Sequence, residues 1–571
     1  MNRWPSFWPY FAALGSGLLL SLCYPNFNIS WLAWIWMIPL LFSLWFGRPD
    51  RWANQPWKRA RYGFTLGYLA GLAFFQVNLS WLHTVSSGGA ILLPFYLALY
   101  FALWGAFAAT AGRPRDDELA PGLPQDKPSP RHAAPSLFTN IFANSLQAIK
   151  YATLNAAAWT GLEWLRGVAF TGFGWNGLGV ALHNNLFLIQ ITDIIGVTGL
   201  AFLLMFCGCI ATTTIRRLFL EVGHQRSRPH LDFIAAIALV LLVFAYGLKR
   251  AWRADYGDTI DLRVVLIQPN ININDKWDAS KTQEFYRLFD DLTSIYAETG
   301  DYDLIVWPET ALQAEFLHPS SQGYLNFILS KGDFHLILGV EEGNLHDGTF
   351  YNSMALIRNN TRNYQTYKKI HLVPFGEYIP LRKSFPPFEW VAGREVPADF
   401  NAGDTIEPLT LTHPPVQIIP AICFEDTIGS LMRQFIRDEP QLIVNVTNDG
   451  WFLETQASEQ HLANAKFRSA ELKRPMARSA NTGVSCFINH LGEIPIEGDF
   501  EARIQDIETG STFVTGTLPY DISILKNPPI TTYAQVGDLF SKACLALATI
   551  WILACFLAKS IPSSRRKDRA A

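Results

Sequence analysis

The stretch "QIIPAICFEDTIG", residues 417–429, has the pattern of an apolar β-strand that runs into a turn. A single cysteine, Cys423, stands where the strand ends, close to the carboxylates of Glu425 and Asp426. A cysteine in such a place is more often a buried packing residue than a reactive thiol. Which of the two it is depends on what the other strands deliver to the same edge of the sheet.

Short apolar runs alternate with amphipathic stretches between residues 260 and 517. The strand candidates are "LRVVLIQ", "DLIVWPE", "FHLILGVE", "NSMALIR", "QIIPAICF", "QLIVNVT" and "GVSCFIN". After the first of them, Phe285, Leu288, Leu292 and Ile295 recur at the spacing of one helix face. The pattern predicts an α/β domain whose sheets are covered on at least one face and whose functional groups cluster at strand ends.

Two further strand ends carry polar residues of the kind that a cysteine nucleophile needs. "LIVWPET" delivers Glu309 after a proline, and "YKKIHLVPFGEYIP" supplies Lys369, His371 and Glu377 around a second proline-containing turn. A thiol nucleophile needs a base, and an acyl-transfer intermediate needs a cation or N–H donors. Plainer interpretations stay open, because Glu309 could cap a helix and Lys369 could be a solvated surface lysine.

The composition indicates a membrane protein rather than a purely soluble one. Of 571 residues, 49% are hydrophobic and 17% are charged, and the formal net charge of -3 gives no basic excess to favour a nucleic-acid partner. Eight stretches are predicted to be long and apolar enough to cross a bilayer core, which takes about 20 helical residues. They are approximately residues 7–23, 30–46, 64–82, 90–112, 151–170, 194–215, 232–248 and 539–558. The first is interpreted as a retained anchor, because no small-residue cleavage site follows it.

Basic residues predict the orientation of these spans. Loops 47–63, 113–150 and 215–230 and the C-terminal tail carry most of the clustered Arg and Lys and fall on one side of eight spans. The positive-inside rule makes that side cytoplasmic. One basic cluster, residues 249–253, lies on the opposite side and is outweighed by the other loops.

The predicted organisation follows from that orientation. Residues 1–249 hold seven spans, 250–530 form an exported catalytic domain, 539–558 form the last span, and 559–571 are a basic cytoplasmic tail. The Pro-rich, charged segment 113–136 is predicted to be a disordered cytoplasmic insertion. The chain has seven cysteines and no C-x-x-C pair, and because the exported block contains only two of them, a disulfide framework is not expected.

Five motifs carry a family resemblance by their order. They are "VVLIQPNININDKWD", "LIVWPET", "YKKIHLVPFGEYIP", "AICFED" and "NVTNDGWF". In this order they resemble the nitrilase superfamily, which implies an α-β-β-α sandwich and a Glu-Lys-Cys triad. With the eight-span plan and the segment "LRGVAFTGFGW" (165–175), they are similar to the apolipoprotein N-acyltransferase family of bacterial envelopes. The resemblance covers nearly the whole chain apart from residues 113–136.

The resemblance assigns the roles of the triad. Glu309 would be the general base, Lys369 the electrostatic stabiliser and Cys423 the nucleophile. Lys369 is preferred to Lys368 because the family's lysine stands two residues before the histidine of HLVPFGE, which is His371 here. Such a triad implies neither a metal nor a cofactor.

Supporting residues are carried over in the same way. Glu377 and Glu425 match acidic positions that support the family's site, and Trp277 and Trp451 match its tryptophans near the pocket. Phe424 departs from the family, which usually has a tyrosine after the cysteine. The departure removes a hydroxyl but keeps the ring and the backbone N–H, so only a role for that hydroxyl is in doubt.

The resemblance also implies a reaction and its partners. The sn-1 acyl chain of a phospholipid would pass through a thioester on the cysteine to the N-terminal α-amine of a diacylglyceryl-cysteine lipoprotein. The protein would be a multi-pass protein of the bacterial inner membrane with its catalytic domain in the periplasm.

Two other functions remain open at this point. A membrane-tethered amidase would use the same triad with water as the acceptor. A transporter would need clustered ionisable groups within the spans, and the candidates Glu163, Arg166 and Asp193 all lie near span ends.

The orientation can be tested with a reporter that is active only in the periplasm. Fused near residue 350 it should be active, and fused after Ala571 it should be silent, because the two points lie on opposite sides of the last predicted span. The opposite pattern of reporter activity would place the triad in the cytoplasm and contradict the predicted orientation.

Overall fold

The computed structural model describes residues 7–47, 55–114, 137–223, 229–252, 257–276, 278–344, 348–384, 388–389, 396 and 398–560. Trp277, the predicted insertion 113–136 apart from its first two residues, and the predicted tail from residue 561 onward lie outside the described residues. All other candidate site residues lie within them.

Helices dominate the N-terminal part and the C-terminal end. They are α1 (Trp8–Ser21), α2 (Ile38–Phe46), α3 (Pro56–Asn78), α4 (Ser87–Ala109), α5 (Leu137–Val168), α6 (Leu186–Ile189), α7 (Thr192–Gly223), α8 (Leu231–Trp252), α9 (Thr282–Ala297), α10 (Pro319–Leu329), α11 (Gly429–Met432), α12 (Ala457–Leu472), α13 (Thr532–Val536) and α14 (Leu539–Ser560).

Each of the eight predicted spans overlaps a helix, but not all of these helices are long and apolar enough to cross a membrane. Within the described residues, four qualify: Ser87–Ala109, Thr192–Val222, Leu231–Trp252 and Leu539–Ala558. Helix α1 has 14 residues, α2 has 9, and α3 opens with several basic residues. These four helices are consistent with a membrane protein, and the number eight stays a prediction.

The strands lie between α8 and α13. They are β1 (Thr259–Gln268), β2 (Leu304–Val306), β3 (His335–Asn344), β4 (Thr349–Arg358), β5 (Asn360–Lys368), β6 (Leu409–Leu411), β7 (Val416–Ile422), β8 (Gln441–Thr447), β9 (Met476–Ala480), β10 (Cys486–Ile488), β11 (Ile496–Glu497), β12 (Phe500–Glu501) and β13 (Gly516–Leu525). A six-stranded sheet has the order β13-β1-β2-β3-β4-β5, and a five-stranded sheet has the order β10-β9-β8-β7-β6. Both sheets mix parallel and antiparallel pairs.

The two sheets pack face to face, with helices outside. Along β1, Val264 and Leu266 join the core that is shared with the second sheet, whereas Val265 and Ile267 face the core under α9 and α10. This alternation is what a strand covered on both faces requires. Helix α12 covers the outer face of the second sheet, so the layers are helix, sheet, sheet, helix, as the resemblance implied.

Helix α12 is also the layer that joins the sandwich to the helical block. One face, with Leu462, packs on the second sheet, and the other, with Phe467, packs on the block formed by α1–α8. At this contact the buried Gln460 side-chain oxygen accepts hydrogen bonds from the indole N–H groups of Trp81 (3.1 Å) and Trp175 (2.9 Å). The Gln460 amide nitrogen donates to two carbonyl oxygens of the block.

Replacement of Gln460 by leucine should destabilise the protein, because it leaves these buried polar groups without a partner. A buried polar group without a partner costs about 1–3 kcal/mol. The midpoint of thermal unfolding in detergent should fall clearly. Gln456→Leu is the control, since Gln456 lies one turn earlier on the same contact and makes a single exposed bond to Ser80. Equal midpoints for the two variants would contradict this account.

Candidate functional site

Cys423 lies immediately after β7, on a turn that the second sheet holds in place. Its backbone has a positive φ of 52°, a conformation that non-glycine residues rarely adopt. The Asn445 side-chain amide on the neighbouring strand β8 donates to the Cys423 carbonyl oxygen (3.1 Å), and its own oxygen accepts from the buried Arg478 (2.9 Å). Cys423 as a whole residue is half-buried, and it lies at the carboxyl end of its strand.

Glu309 is set at the end of β2 by close contact with β3. The backbone N–H of Gly339 donates to the Pro308 carbonyl oxygen (3.0 Å), and that of Ala311 donates to the Gly339 carbonyl oxygen (2.8 Å). A Cβ at Gly339 would lie 2.4 Å from the Glu309 Cα, so no larger residue fits this approach. The backbone on both sides of Glu309 is therefore held by β3, and this sets the position from which the buried side chain extends.

Lys369 follows the last residue of β5 and is buried, whereas Lys368 is not. The exposed fraction of the side chain is 1% for Lys369 and 40% for Lys368. The ammonium of Lys368 lies over the ring of Tyr351 (3.9 Å). Adjacent strand residues point to opposite faces, so only one of the two lysines can reach the site, and it is the predicted one.

The buried ammonium of Lys369 gathers two carboxylates. Its Nζ lies 2.8 Å from Glu377 Oε1 and 3.9 Å from Glu309 Oε1. The Asn352 amide on β4 donates to both carboxylates, at 2.9 Å to Glu309 and 2.8 Å to Glu377. Asn352 was not predicted, because an asparagine within an apolar strand carries no motif.

Burial and charge shift the pKa values of the three predicted triad residues upward. Burial raises the pKa of the Cys423 thiol, Glu309 raises it further, and Lys369 offsets part of the shift. Burial also raises the pKa of Glu309, against the lowering effect of Lys369. Burial disfavours the Lys369 ammonium, but Glu377 and the other nearby anions outweigh it, so its pKa is raised. The lysine is held charged, and the thiol needs a base to lose its proton.

Glu425 ties the thiol's turn to the lysine's strand. One carboxylate oxygen accepts from the backbone N–H groups of Ile370 (2.8 Å) and His371 (3.0 Å) and from the Tyr367 hydroxyl (2.9 Å). The other accepts from the Ile422 N–H (2.9 Å). The residue is fully buried, and its hydrogen bonds join β5 and the segment after it in the first sheet to β7 in the second sheet.

Phe424 packs against the helical block. Its ring stacks on Trp175 (6.0 Å between centroids) and on Phe173 (6.5 Å), both from the loop after α5. Arg166 holds that loop by donating to the carbonyl oxygens of Phe173 and Trp175, each at 3.0 Å. This packing uses the aromatic ring of Phe424.

Trp451, the other tryptophan predicted to lie near the pocket, is at the margin of the candidate site. Trp451 is 52% exposed, and its backbone carbonyl oxygen accepts from the Thr84 hydroxyl of the helical block (3.3 Å). A cavity of about 100 Å³ separates the block from the thiol's turn, with Gly174, His371, Phe424 and Tyr533 in its wall. Among the described residues no cluster of side chains suits a metal ion.

The family model described as apolipoprotein N-acyltransferase N-terminal domain matches residues 16–210, and the model for carbon-nitrogen hydrolase matches residues 263–509. A CN-hydrolase superfamily protein from Xanthomonas campestris is 16% identical, with 46% of this chain and 91% of that chain covered and a TM-score of 0.33. That structural likeness is too low to carry an argument.

Two relatives match almost from end to end. An apolipoprotein N-acyltransferase of Haemophilus influenzae is 28% identical, with 93% of each chain covered. An apolipoprotein N-acyltransferase of Geobacter metallireducens is 31% identical, with 97% of this chain and 96% of the relative covered. On that similarity, and with both family models matched in order, the chain belongs to the apolipoprotein N-acyltransferase family.

Proposed function

We propose that this protein transfers the sn-1 acyl chain of a phospholipid, through a thioester on Cys423, to the N-terminal α-amine of a diacylglyceryl-cysteine lipoprotein. The observation that carries the proposal is the buried Lys369 ammonium beside Glu309 and Glu377. These residues lie at strand ends of a carbon-nitrogen hydrolase domain, in a chain that belongs to the apolipoprotein N-acyltransferase family. Neither a metal nor a cofactor enters the proposed reaction.

The first half-reaction forms the thioester. Glu309 takes the Cys423 thiol proton, and the sulfur attacks the ester carbonyl carbon. A carbon–sulfur bond forms, and the carbonyl oxygen becomes an oxyanion that Lys369 and the backbone N–H of Phe424 stabilise. When the tetrahedral intermediate collapses, the ester C–O bond breaks, and the lysophospholipid alkoxide takes the proton back from Glu309.

The second half-reaction forms the amide. The lipoprotein α-amine attacks the thioester carbon and gives a proton to Glu309, and the carbon–sulfur bond then breaks. The thiolate takes the proton from Glu309, which restores the starting enzyme. Ester and amine are thus converted to alcohol and amide with no net change in protons.

The location of the site suits lipid substrates. Phe424, next to the thiol, packs on a loop of the helical block, and a cavity lies between that loop and the thiol's turn. We propose that both lipid substrates reach Cys423 from the bilayer and that the domain faces the periplasm from the bacterial inner membrane. Clustered basic residues in the loops predicted to be cytoplasmic support that side.

Three substitutions test the triad. Glu309→Gln, Lys369→Met and Cys423→Ala should each abolish N-acylation of a diacylglyceryl peptide while the protein still accumulates in the membrane. Each removes a different requirement of the same step. Lys368→Met is the matched control and should lower the rate only mildly, because Lys368 is exposed. Loss of N-acylation in Lys368→Met, with activity retained in Lys369→Met, would contradict the assignment.

The covalent intermediate tests the route. Enzyme mixed with phospholipid and no acceptor should gain the intact mass of one fatty acyl group. Hydroxylamine should remove that mass, and a diacylglyceryl peptide should discharge it and become N-acylated. Cys423→Ala should gain nothing, whereas Cys486→Ala should behave as the parent, because Cys486 lies in the core between the sheets.

Two results of that experiment would contradict the proposal. Acylation at Cys486, or at no cysteine, would return Cys423 to a packing role. Release of free fatty acid without an N-acylated peptide would favour the amidase alternative.

A further inference from the structure

A second buried lysine, besides Lys369, contacts the backbone of the proposed base. Lys276 lies in the loop between β1 and α9 and is 6% exposed. Its ammonium donates to the Glu309 backbone carbonyl oxygen (3.2 Å). The loop around it is fixed, since the Lys276 carbonyl oxygen accepts from the Gln313 amide (2.8 Å).

The charge of Lys276 has no carboxylate partner in direct contact. Among the described residues no carboxylate oxygen is within ion-pair distance of its ammonium, although the carboxylates of Glu309 and Glu341 both act on it from further away. A buried ammonium with only a neutral acceptor is costly, and residues in that condition concentrate at functional sites.

We propose that Lys276 is a positioning residue for the base: its ammonium holds the turn at Glu309 and stabilises the ionised Glu309 carboxylate that accepts the thiol proton. The inference rests on the proposed function, because it needs Glu309 to act as the base for Cys423. It adds a second cation to the triad and gives each lysine a separate task.

The charges around Glu309 explain why a second cation is useful. Glu309 faces Lys369, Glu377, Lys276 and the Asn352 amide; burial and Glu377 raise its pKa, whereas Lys369, Asn352 and Lys276 lower it. Glu341, which also faces Lys276, adds a like charge near the base. When Lys369 turns to the substrate oxyanion, Lys276 still offsets the burial of the carboxylate.

The protonation state of Lys276 permits this role. Burial lowers its pKa to about 8, against the raising effects of Glu309 and Glu341. Below that pH the ammonium is present. The rate of Cys423 acylation should rise with pH as Glu309 ionises, so loss of the cation should move that rise to higher pH.

The test is the pH profile of single-turnover acylation of Cys423 by phospholipid in detergent micelles, followed by intact mass. Lys276→Met removes charge and hydrogen bond, and Lys276→Gln removes the charge but keeps an N–H donor for the Glu309 carbonyl. Both should shift the acidic limb upward by about one pH unit, the lower end of the effect of an adjacent opposite charge. At acidic pH this is about a tenfold loss of rate.

Lys281→Gln is the control, because Lys281 is on the same segment but pairs with Asp275 at the surface (2.8 Å). Its profile should match that of the parent. If Lys276→Met does not accumulate in the membrane, the milder Lys276→Gln variant gives the same reading.

The outcomes separate this inference from the proposed function. If the acidic limb of the pH profile is unchanged in Lys276→Gln, whether the rate falls or not, the Lys276 charge does not stabilise the Glu309 carboxylate. The contact with the Glu309 carbonyl oxygen would then be structural only. Absence of acylation at Cys423 in the parent protein overturns the proposed function and this inference with it.

Discussion

The ammonium of Lys369 is a charge without access to water, and the arrangement of the site follows from that constraint. A buried cation is tolerated only if anions and acceptors surround it. Here those anions come from separate strand ends, Glu309 after β2 and Glu377 in the loop after β5, with Asn352 of β4 between them. Glu425 then joins the turn that carries Cys423 to the segment after β5 that carries Lys369. Packing of the two sheets and burial of the lysine therefore depend on each other.

Much of the sandwich was predictable because its central strands are plain apolar runs. All seven strand candidates coincide with strands, and the predicted helix at Phe285–Ile295 lies within α9. Strands without that pattern were missed. Strand β5 is mostly polar, and β9 contains the buried Arg478, which no apolar pattern would include. The convergence of Glu309 and Lys369 was expected from the family resemblance alone. The number of residues between them does not determine the distance between their side chains in space.

Helix α12 shows where sequence patterns fail. Its residues include Gln460, His461, Arg468 and Glu471, and their mixture predicts an exposed helix. All of them are buried, because the helix lies between the second sheet and the helical block. Gln460 accepts hydrogen bonds from two tryptophans of the block, and the ring nitrogens of His461 lie within hydrogen-bond distance of Asp426 and Asp449. Glu163 and Arg166 mislead in a similar way. They could mark an ion pathway in sequence, but they bind backbone groups of the loop that packs on Phe424.

The stacking of Phe424 on Trp175 has a consequence for how this chain could have been assembled. In a protein whose anchor merely tethers an enzyme, the anchor can be exchanged or trimmed without altering the pocket. Here one wall of the site is contributed by residues that precede the first strand of the sandwich, β1, by more than eighty positions. Severing the two parts would expose aromatic surface beside the thiol and remove that wall, so the shape of the site depends on the helical block as well as on the sandwich.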